Sequence, residues 1–209
     1  MSKHTASKKK PNKIWIAGIA LILAAAAMLG GGLYLILSED EVTPSPGSVV
    51  AVGEEDSATA CQNLLSSYYT AIIGQDGQAL YELMAPPEYW DYYMETYDKT
   101  ETEVIETYQD AVNNTVASWK ADCGSNVKVS FQIEASGEQT EAFLTEWSDT
   151  MNEALGEEVL SAQEALTLQV TQTVTGDNGT KETQLRPTLI RVNDAWYILD
   201  EGTDAQSAE

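Results

Sequence analysis

A carboxylate paired with a tyrosine is the acid–base chemistry that this sequence allows. Such a pair needs an Asp or Glu in an apolar pocket, where burial raises its pKa towards neutral pH, and a phenol that donates a hydrogen bond. Tyr68, Tyr69, Tyr108 and Glu134 have the required types, but no spacing marks them as a motif. The only histidine is His4, so the rest of the chain cannot form Ser-His or Cys-His nucleophile pairs or zinc sites with histidine ligands.

The strongest candidate for a binding surface is the segment at residues 88–98. Its sequence, EYWDYYMETYD, alternates aromatic and acidic side chains, and Tyr and Trp supply large, rigid contact areas to binding sites. A sugar or a partner peptide could stack there. Alternatively, the four-residue spacing of the tyrosines is typical of a short helix that packs over the open end of a domain. The predicted contact residues are Tyr89, Trp90, Tyr93 and Tyr97.

Two cysteines, Cys61 and Cys123, are predicted to form a disulfide. The expected compartment is oxidising, and both residues border helices that are expected to pack together. Two separate buried thiols are the alternative, because Cys61 lies on an apolar helix face. A catalytic thiol is not favoured, since no basic residue is close in sequence.

The sequence predicts no metal site and no cofactor. The Asp177-Asn178-Gly179 segment resembles the start of a calcium loop, but no acidic ligands follow it at the required spacing.

Residues 14–37 are predicted to form a transmembrane helix. The run contains no charged residue, and about 20 apolar residues span the hydrocarbon core of a bilayer. Five lysines in the tail, residues 1–13, precede the run and acidic residues follow it, which predicts a cytoplasmic N-terminus and an extracytoplasmic C-terminal part. The alternative is a cleaved signal peptide, whose apolar core is typically about 7–15 residues. The longer run favours a single-pass anchor in the cell membrane.

Charge is divided sharply along the chain. All 33 acidic residues follow the apolar run, with six of the 11 basic ones, so the exported part carries a formal charge of −27. This charge argues against nucleic acid and anionic lipid as partners of the exported part, because both are polyanions. It favours solubility and could attract cationic partners or divalent ions. A solvated acidic surface is the simpler interpretation.

The exported part is predicted to contain a linker (38–56), a folded domain (57–202) and a disordered tail (203–209). The linker is rich in proline and acidic residues, a composition typical of tethers.

Within the domain, hydrophobic periodicity predicts helices in the first half and a further helix at 138–155. Thr100 begins one of the early helices with a capping-box pattern. Alternating residues predict a strand at 126–134 and three more antiparallel strands near the C-terminus, separated by turns at 178–179 and 193–194. The predicted fold class is therefore α+β, with helices packed on an antiparallel sheet.

Two stretches carry a family resemblance: YTAIIGQDGQALY at 69–81 and LIRVNDAWYILD at 189–200. With the helices-first order, they resemble the nuclear-transport-factor-2-like superfamily, in particular the membrane-tethered, exported members common in Gram-positive bacteria. The resemblance implies a cone-shaped, cystatin-like α+β domain, in which a curved antiparallel sheet wraps helices around a central cavity. The helix at 138–155 departs from that pattern. The superfamily includes isomerases, dehydratases, ligand binders and docking modules, so the resemblance does not fix a function.

The sequence-based hypothesis is a non-enzymatic domain held at the outer membrane surface by residues 14–37. It would bind a small ligand in the cone or dock an envelope protein. One alternative is an isomerase- or dehydratase-like enzyme that uses a carboxylate and a tyrosine. Another is a structural domain that forms homodimers through the outer face of its sheet.

Overall fold

The computed structural model describes residues 57–202, the segment predicted to be the folded domain. The N-terminal tail at 1–13, the transmembrane helix at 14–37, the linker at 38–56 and the C-terminal tail at 203–209 lie outside the described residues. No helix within residues 57–202 is both long enough and apolar enough to cross a membrane.

Four helices form the first half of the domain, and local sequence explains where they begin. Asp76 accepts a hydrogen bond from the Ala79 amide at the start of the second helix. Pro87 is the first residue of the third helix. A backbone N–H at that position makes no hydrogen bond within the helix, so a proline loses no hydrogen bond there. Thr100 and Glu103 form the predicted capping box of the fourth. The helices are α1 (Ser57–Ile73), α2 (Gly77–Met84), α3 (Pro87–Tyr97), α4 (Glu101–Cys123) and, further along, α5 (Glu141–Leu155).

The five strands form one open antiparallel sheet organised around its longest strand, β2. One edge of β2 pairs with β1, and the pairing runs from one end of β1 to the other. The other edge pairs with β3 and β4 in succession, because the returning chain is interrupted at Arg186 and Pro187. Strand β5 pairs with β4 and completes the sheet. The strands are β1 (Lys128–Glu138), β2 (Ala162–Gly176), β3 (Gly179–Leu185), β4 (Thr188–Val192) and β5 (Ala195–Asp200).

Both predicted hairpins form, and the first has its turn one residue earlier than predicted, at Asp177 and Asn178. Asn193 and Asp194 join β4 to β5 with φ angles of 48° and 67°, the positive values that a tight two-residue hairpin turn requires. At the β2–β3 turn, Gly179 has a φ of 144°. The amide of Asn178 donates a hydrogen bond to the carbonyl of Cys123 at 2.7 Å, so this turn is fixed against the end of α4.

Helices pack on both faces of the sheet. The larger core lies between the inner face and helices α1, α2 and α4, and the smaller one lies between the outer face and α5. Neighbouring residues of β4 and β5 therefore point into different cores: Leu189 and Trp196 into the larger, Ile190 and Tyr197 into the smaller. This two-sided burial accounts for the continuous apolar sequence at the end of the domain, and the α+β class is confirmed.

The predicted disulfide is wrong, because the two cysteines lie at opposite ends of β2. Cys61 is one helical turn from Ser57, whose hydroxyl donates to Glu164 near the start of β2 at 2.8 Å. The Cys123 thiol contacts the Val174 carbonyl near the other end at 3.5 Å. Ten residues of strand separate Glu164 from Val174, about 30 Å, whereas a disulfide needs Cα atoms within about 7 Å. Both cysteines are buried, free thiols.

We expect the thiols to be reduced but unreactive in the folded protein. Burial, with a smaller contribution from Glu164, raises the pKa of Cys61 to about 12, and a protonated, buried thiol is a poor nucleophile. A thiol-titrating reagent should therefore label neither cysteine in the native state and both in denaturant, without prior reduction. Denatured protein that yields thiols only after reduction would establish the disulfide instead.

Candidate functional site

The most unusual ionisable group in the domain is Glu201, which follows the last strand. It is only 5% exposed, and its Oε1 accepts a hydrogen bond from the Tyr68 hydroxyl of α1 at 3.0 Å. Its Oε2 is buried with no hydrogen-bond partner among residues 57–202. Burial raises the pKa of Glu201 to about 7, opposed by the hydrogen bond from Tyr68 and assisted by the nearby charge of Asp200. The carboxyl is therefore poised to gain or lose a proton near neutral pH.

Three buried tyrosines lie near this carboxyl, and one of them, Tyr68, contacts it directly. Tyr68 and Tyr69 lie side by side on α1, with ring centroids 5.1 Å apart, and Tyr108 faces the same region from α4. Burial, followed by the charge of Glu201, raises the pKa of each phenol above its usual value. All three therefore stay neutral across the physiological range and can act only as hydrogen-bond donors or acceptors and as apolar walls.

Gln172 is a second buried polar group without a partner. It lies on the inner face of β2 between Val170 and Val174 and is 1% exposed. Neither its Oε1 nor its Nε2 has a hydrogen-bond partner within residues 57–202. An unpaired buried polar group costs about 1–3 kcal/mol, and such groups are rare in native proteins unless a water or ligand satisfies them. The inner face therefore contains polar atoms that a water or a ligand would stabilise.

Aromatic contacts connect Gln172 to Glu201. Gln172 lies opposite Phe131 in the register of β1 and β2. The Phe131 ring is 5.3 Å from the ring of Tyr69, which in turn contacts Tyr68. The two unsatisfied groups thus belong to one interior region lined by aromatic side chains.

The aromatic segment predicted from the sequence forms α3 and joins this interior to the surface. Trp90 is buried, stacks on Tyr81 at 4.6 Å and meets Tyr108 edge-on at 5.9 Å. Its indole Nε1 also has no partner among the described residues. Tyr93 lies 4.7 Å from Tyr97, which is 39% exposed. Aromatic side chains therefore continue from the neighbourhood of Glu201 out to solvent.

Tyr89 has an additional structural role. It packs against both hydrophobic cores, and burial together with the phenols of Tyr93, Tyr97 and Tyr92 raises its pKa. Of the four predicted contact residues, Trp90 and Tyr89 thus contribute to packing, as the alternative interpretation of the sequence expects. Their role in binding remains a prediction.

Glu134, the carboxylate chosen from the sequence, is in the wrong place for the predicted pair. It is exposed at the bulge of β1 and accepts hydrogen bonds from Gln132 and Thr171. The tyrosines named beside it do surround a buried carboxyl, but that carboxyl is Glu201.

Two signals for the site were present in the sequence. Gln172 occupies an inward position of the alternating strand. The neighbouring inward side chains, Leu168, Val170 and Val174, are all apolar. Glu201 directly follows a strand and precedes Gly202. Gly202 has a φ of 76°, and a Cβ there would lie 2.4 Å from the backbone of Arg186. This close approach turns the chain inward, and sequence periodicity does not predict it.

Two open surface grooves lie along α5, and neither includes a residue of the interior region. The larger, of about 730 Å³, is lined by Asp149, Glu153, Glu157 and Glu158 among others. These four acidic side chains are exposed to solvent. Within residues 57–202, no three His, Cys, Asp or Glu side chains are grouped so that they could hold a metal ion.

Comparisons of this chain with protein families, with curated proteins and with solved structures found no match. What the site can bind therefore follows from its own side chains.

Replacing Glu201 by Gln should remove part of the pH dependence of stability. A carboxyl whose pKa is raised from 4.5 to about 7 by folding stabilises the domain fully below about pH 4.5 and loses that contribution as the pH rises to about 7. The loss is roughly 3 kcal/mol at most. Urea unfolding of the full-length protein in detergent between pH 4 and 9 should show a flatter profile for E201Q than for wild type.

The matched control is Asp200→Asn, which removes the same charge from an exposed neighbour. D200N should keep most of the wild-type slope. Equal slopes for wild type and E201Q would mean that the carboxyl ionises as it does in water and is not buried.

Proposed function

We propose that this chain is a membrane-anchored, extracytoplasmic, non-enzymatic domain that binds a small ligand in its interior. The observation that carries the proposal is a set of buried polar atoms without hydrogen-bond partners within residues 57–202: Glu201 Oε2, both amide atoms of Gln172, and Trp90 Nε1. The one other such atom, Arg191 Nε, belongs to a guanidinium that pairs with Glu164 and Asp194. A ligand that supplied hydrogen bonds to the first four would recover the free energy that unpaired buried polar groups cost.

The lining of this region fits a ligand site. Pockets for small molecules are mostly apolar and aromatic, with a few polar groups that fix orientation. Here the walls are Tyr68, Tyr69 and Tyr108, and the polar groups are Glu201 and Gln172. The α3 aromatics Trp90, Tyr93 and Tyr97 lead from the interior to solvent and form the proposed entrance.

The cone architecture and the location belong to the same proposal. Helices precede a sheet whose register is shifted at three points, and bulges of this kind bend strands. This agrees with a curved, nuclear-transport-factor-2-like cone. The apolar, uncharged run at 14–37 supports an anchor that holds the domain at the outer surface of the cell membrane. An envelope protein that docks there is an alternative partner.

A second candidate function is carboxylate/tyrosine enzymology at the same position. One observation favours it: the pKa of Glu201 is about 7 while Tyr68 donates a hydrogen bond to it, the combination that a general acid or base needs. An enzyme would convert its ligand, whereas a binding domain returns it unchanged. Recovery of unaltered ligand after prolonged incubation separates the two.

The described surface gives little support to homodimerisation through the outer sheet face. Where α5 does not cover that face, the outward side chains of β1, β2 and β3 are polar, as with the facing pairs Ser130–Thr173 and Gln132–Thr171. Obligate dimer interfaces are usually more apolar.

Replacing Gln172 by Leu, which is similar in size, should stabilise the empty domain and weaken ligand binding. The substitution removes two buried atoms without protein partners, so the free energy of unfolding should rise by about 1–3 kcal/mol. Thermal unfolding across a ligand panel measures both effects, because a ligand that binds only the native state raises the midpoint. A ligand that stabilises the wild type should stabilise Q172L less.

Gln132→Leu is the control, because Gln132 is exposed on the neighbouring strand. It should change stability by less than about 0.5 kcal/mol and leave every ligand response intact. A Q172L protein that is destabilised and responds to ligands as the wild type does would contradict the proposed function.

A further inference from the structure

Glu201 is a buried carboxyl with no basic partner. No ion pair within residues 57–202 involves it; Lys99, Lys181 and Arg191 pair with other carboxylates. A buried charge is normally paired or neutralised, because low-dielectric surroundings disfavour an isolated ion. The free Oε2 therefore lacks the kind of group that would best stabilise it: a cationic hydrogen-bond donor.

The walls around this carboxyl are also suited to a cation. The phenol groups of Tyr68, Tyr69 and Tyr108 lie close enough to Glu201 for its charge to raise their pKa values, and aromatic rings attract ammonium groups. Their phenol oxygens can in addition accept a hydrogen bond.

The charge of the whole domain acts in the same direction. Residues 57–202 contain 25 acidic and six basic side chains, a formal charge of −19. A field of this sign raises the local concentration of small cations and repels anions. It therefore favours an amine over a carboxylate or phosphate as the ligand.

We propose that the ligand is a small primary amine with a short apolar group, whose ammonium donates to Glu201 Oε2 between the tyrosines. This inference rests on the proposed function and names its ligand class. In a larger amine of this class, a hydrogen-bond acceptor would meet the indole N–H of Trp90 or the amide of Gln172. Butylamine, the probe used below, lacks an acceptor and tests the ammonium contact alone. No bond is made or broken; when Glu201 is protonated, its proton is released to solvent as the ammonium binds.

The pH dependence of binding distinguishes a cation from a neutral ligand. The titratable groups that face Glu201 are Tyr68, Tyr69 and Tyr108, which stay neutral, and Asp200, which lies at the surface. Glu201 is therefore the group that changes charge near pH 7. An ammonium needs the ionised carboxyl, so its affinity should rise about tenfold per pH unit up to about pH 7 and then level off. A ligand that accepts from the protonated carboxyl would show the opposite trend.

The test uses butylamine, 1-butanol and butyrate, which share a four-carbon chain and differ in head group. Binding to the full-length protein in detergent is followed by thermal unfolding and by ligand-observed NMR at pH 5 and pH 8. We expect butylamine to bind, with an affinity roughly 100-fold higher at pH 8 than at pH 5, and the other two to bind more weakly at both. Glu201→Gln should abolish the pH dependence, and Asp200→Asn should preserve it.

Tyr68→Phe provides a second readout. It removes a hydrogen bond that lowers the pKa of Glu201, so the pH at which butylamine binding levels off should move upward. Preferential binding of butanol or butyrate at the Glu201-dependent site would overturn the amine assignment and leave the proposed function standing. Absence of Glu201-dependent binding by all three would also overturn the assignment. The proposed function is then decided separately, by comparing how the ligand panel stabilises Q172L and the wild type.

Discussion

The hydrogen bond from Tyr68 to Glu201 joins two parts of the domain that are 133 residues apart in sequence. It ties the first helix to the residue that follows the last strand, so the helices and the sheet must both be in place before it forms. It also buries a carboxyl that no basic side chain of residues 57–202 neutralises. Burial raises the pKa of that carboxyl to about 7, and an ordinary structural contact between these elements would not require a buried carboxyl.

The architecture explains how such a group can be retained. Helices α1, α2 and α4 cover the inner face of the sheet with a large apolar core, while α5 covers part of the outer face. The close approach at Gly202 directs Glu201 inward, and the unpaired amide of Gln172 interrupts the apolar inner row of β2. These are two departures from the hydrophobic pattern of an otherwise regular core. Natural proteins tolerate such departures mainly at functional sites.

Local patterns predicted most of the elements but only part of the site. The capping box at Thr100 and the four-residue tyrosine repeat of α3 are local signals, and both helices form where the sequence indicates. The position of Glu201 depends on a backbone contact between Gly202 and Arg186, which no periodicity encodes. The disulfide prediction was wrong for a similar reason, because cysteines beside helices that pack together can still lie at opposite ends of a long strand. Gln172 was a usable signal for the site, because it is a polar residue in an otherwise apolar inward row of β2.

Ligand binding in the interior requires a group that donates a hydrogen bond to Glu201 Oε2, which is buried and has no partner within residues 57–202. The most direct measurement is a crystal structure of the protein purified from its native host without unfolding, at a resolution that shows ordered water. We expect electron density for a small molecule within hydrogen-bond distance of Glu201 Oε2 and in contact with Tyr68, Tyr69 and Tyr108. A Glu201 Oε2 that is bonded to another protein group, with side chains filling the region around it, would contradict it.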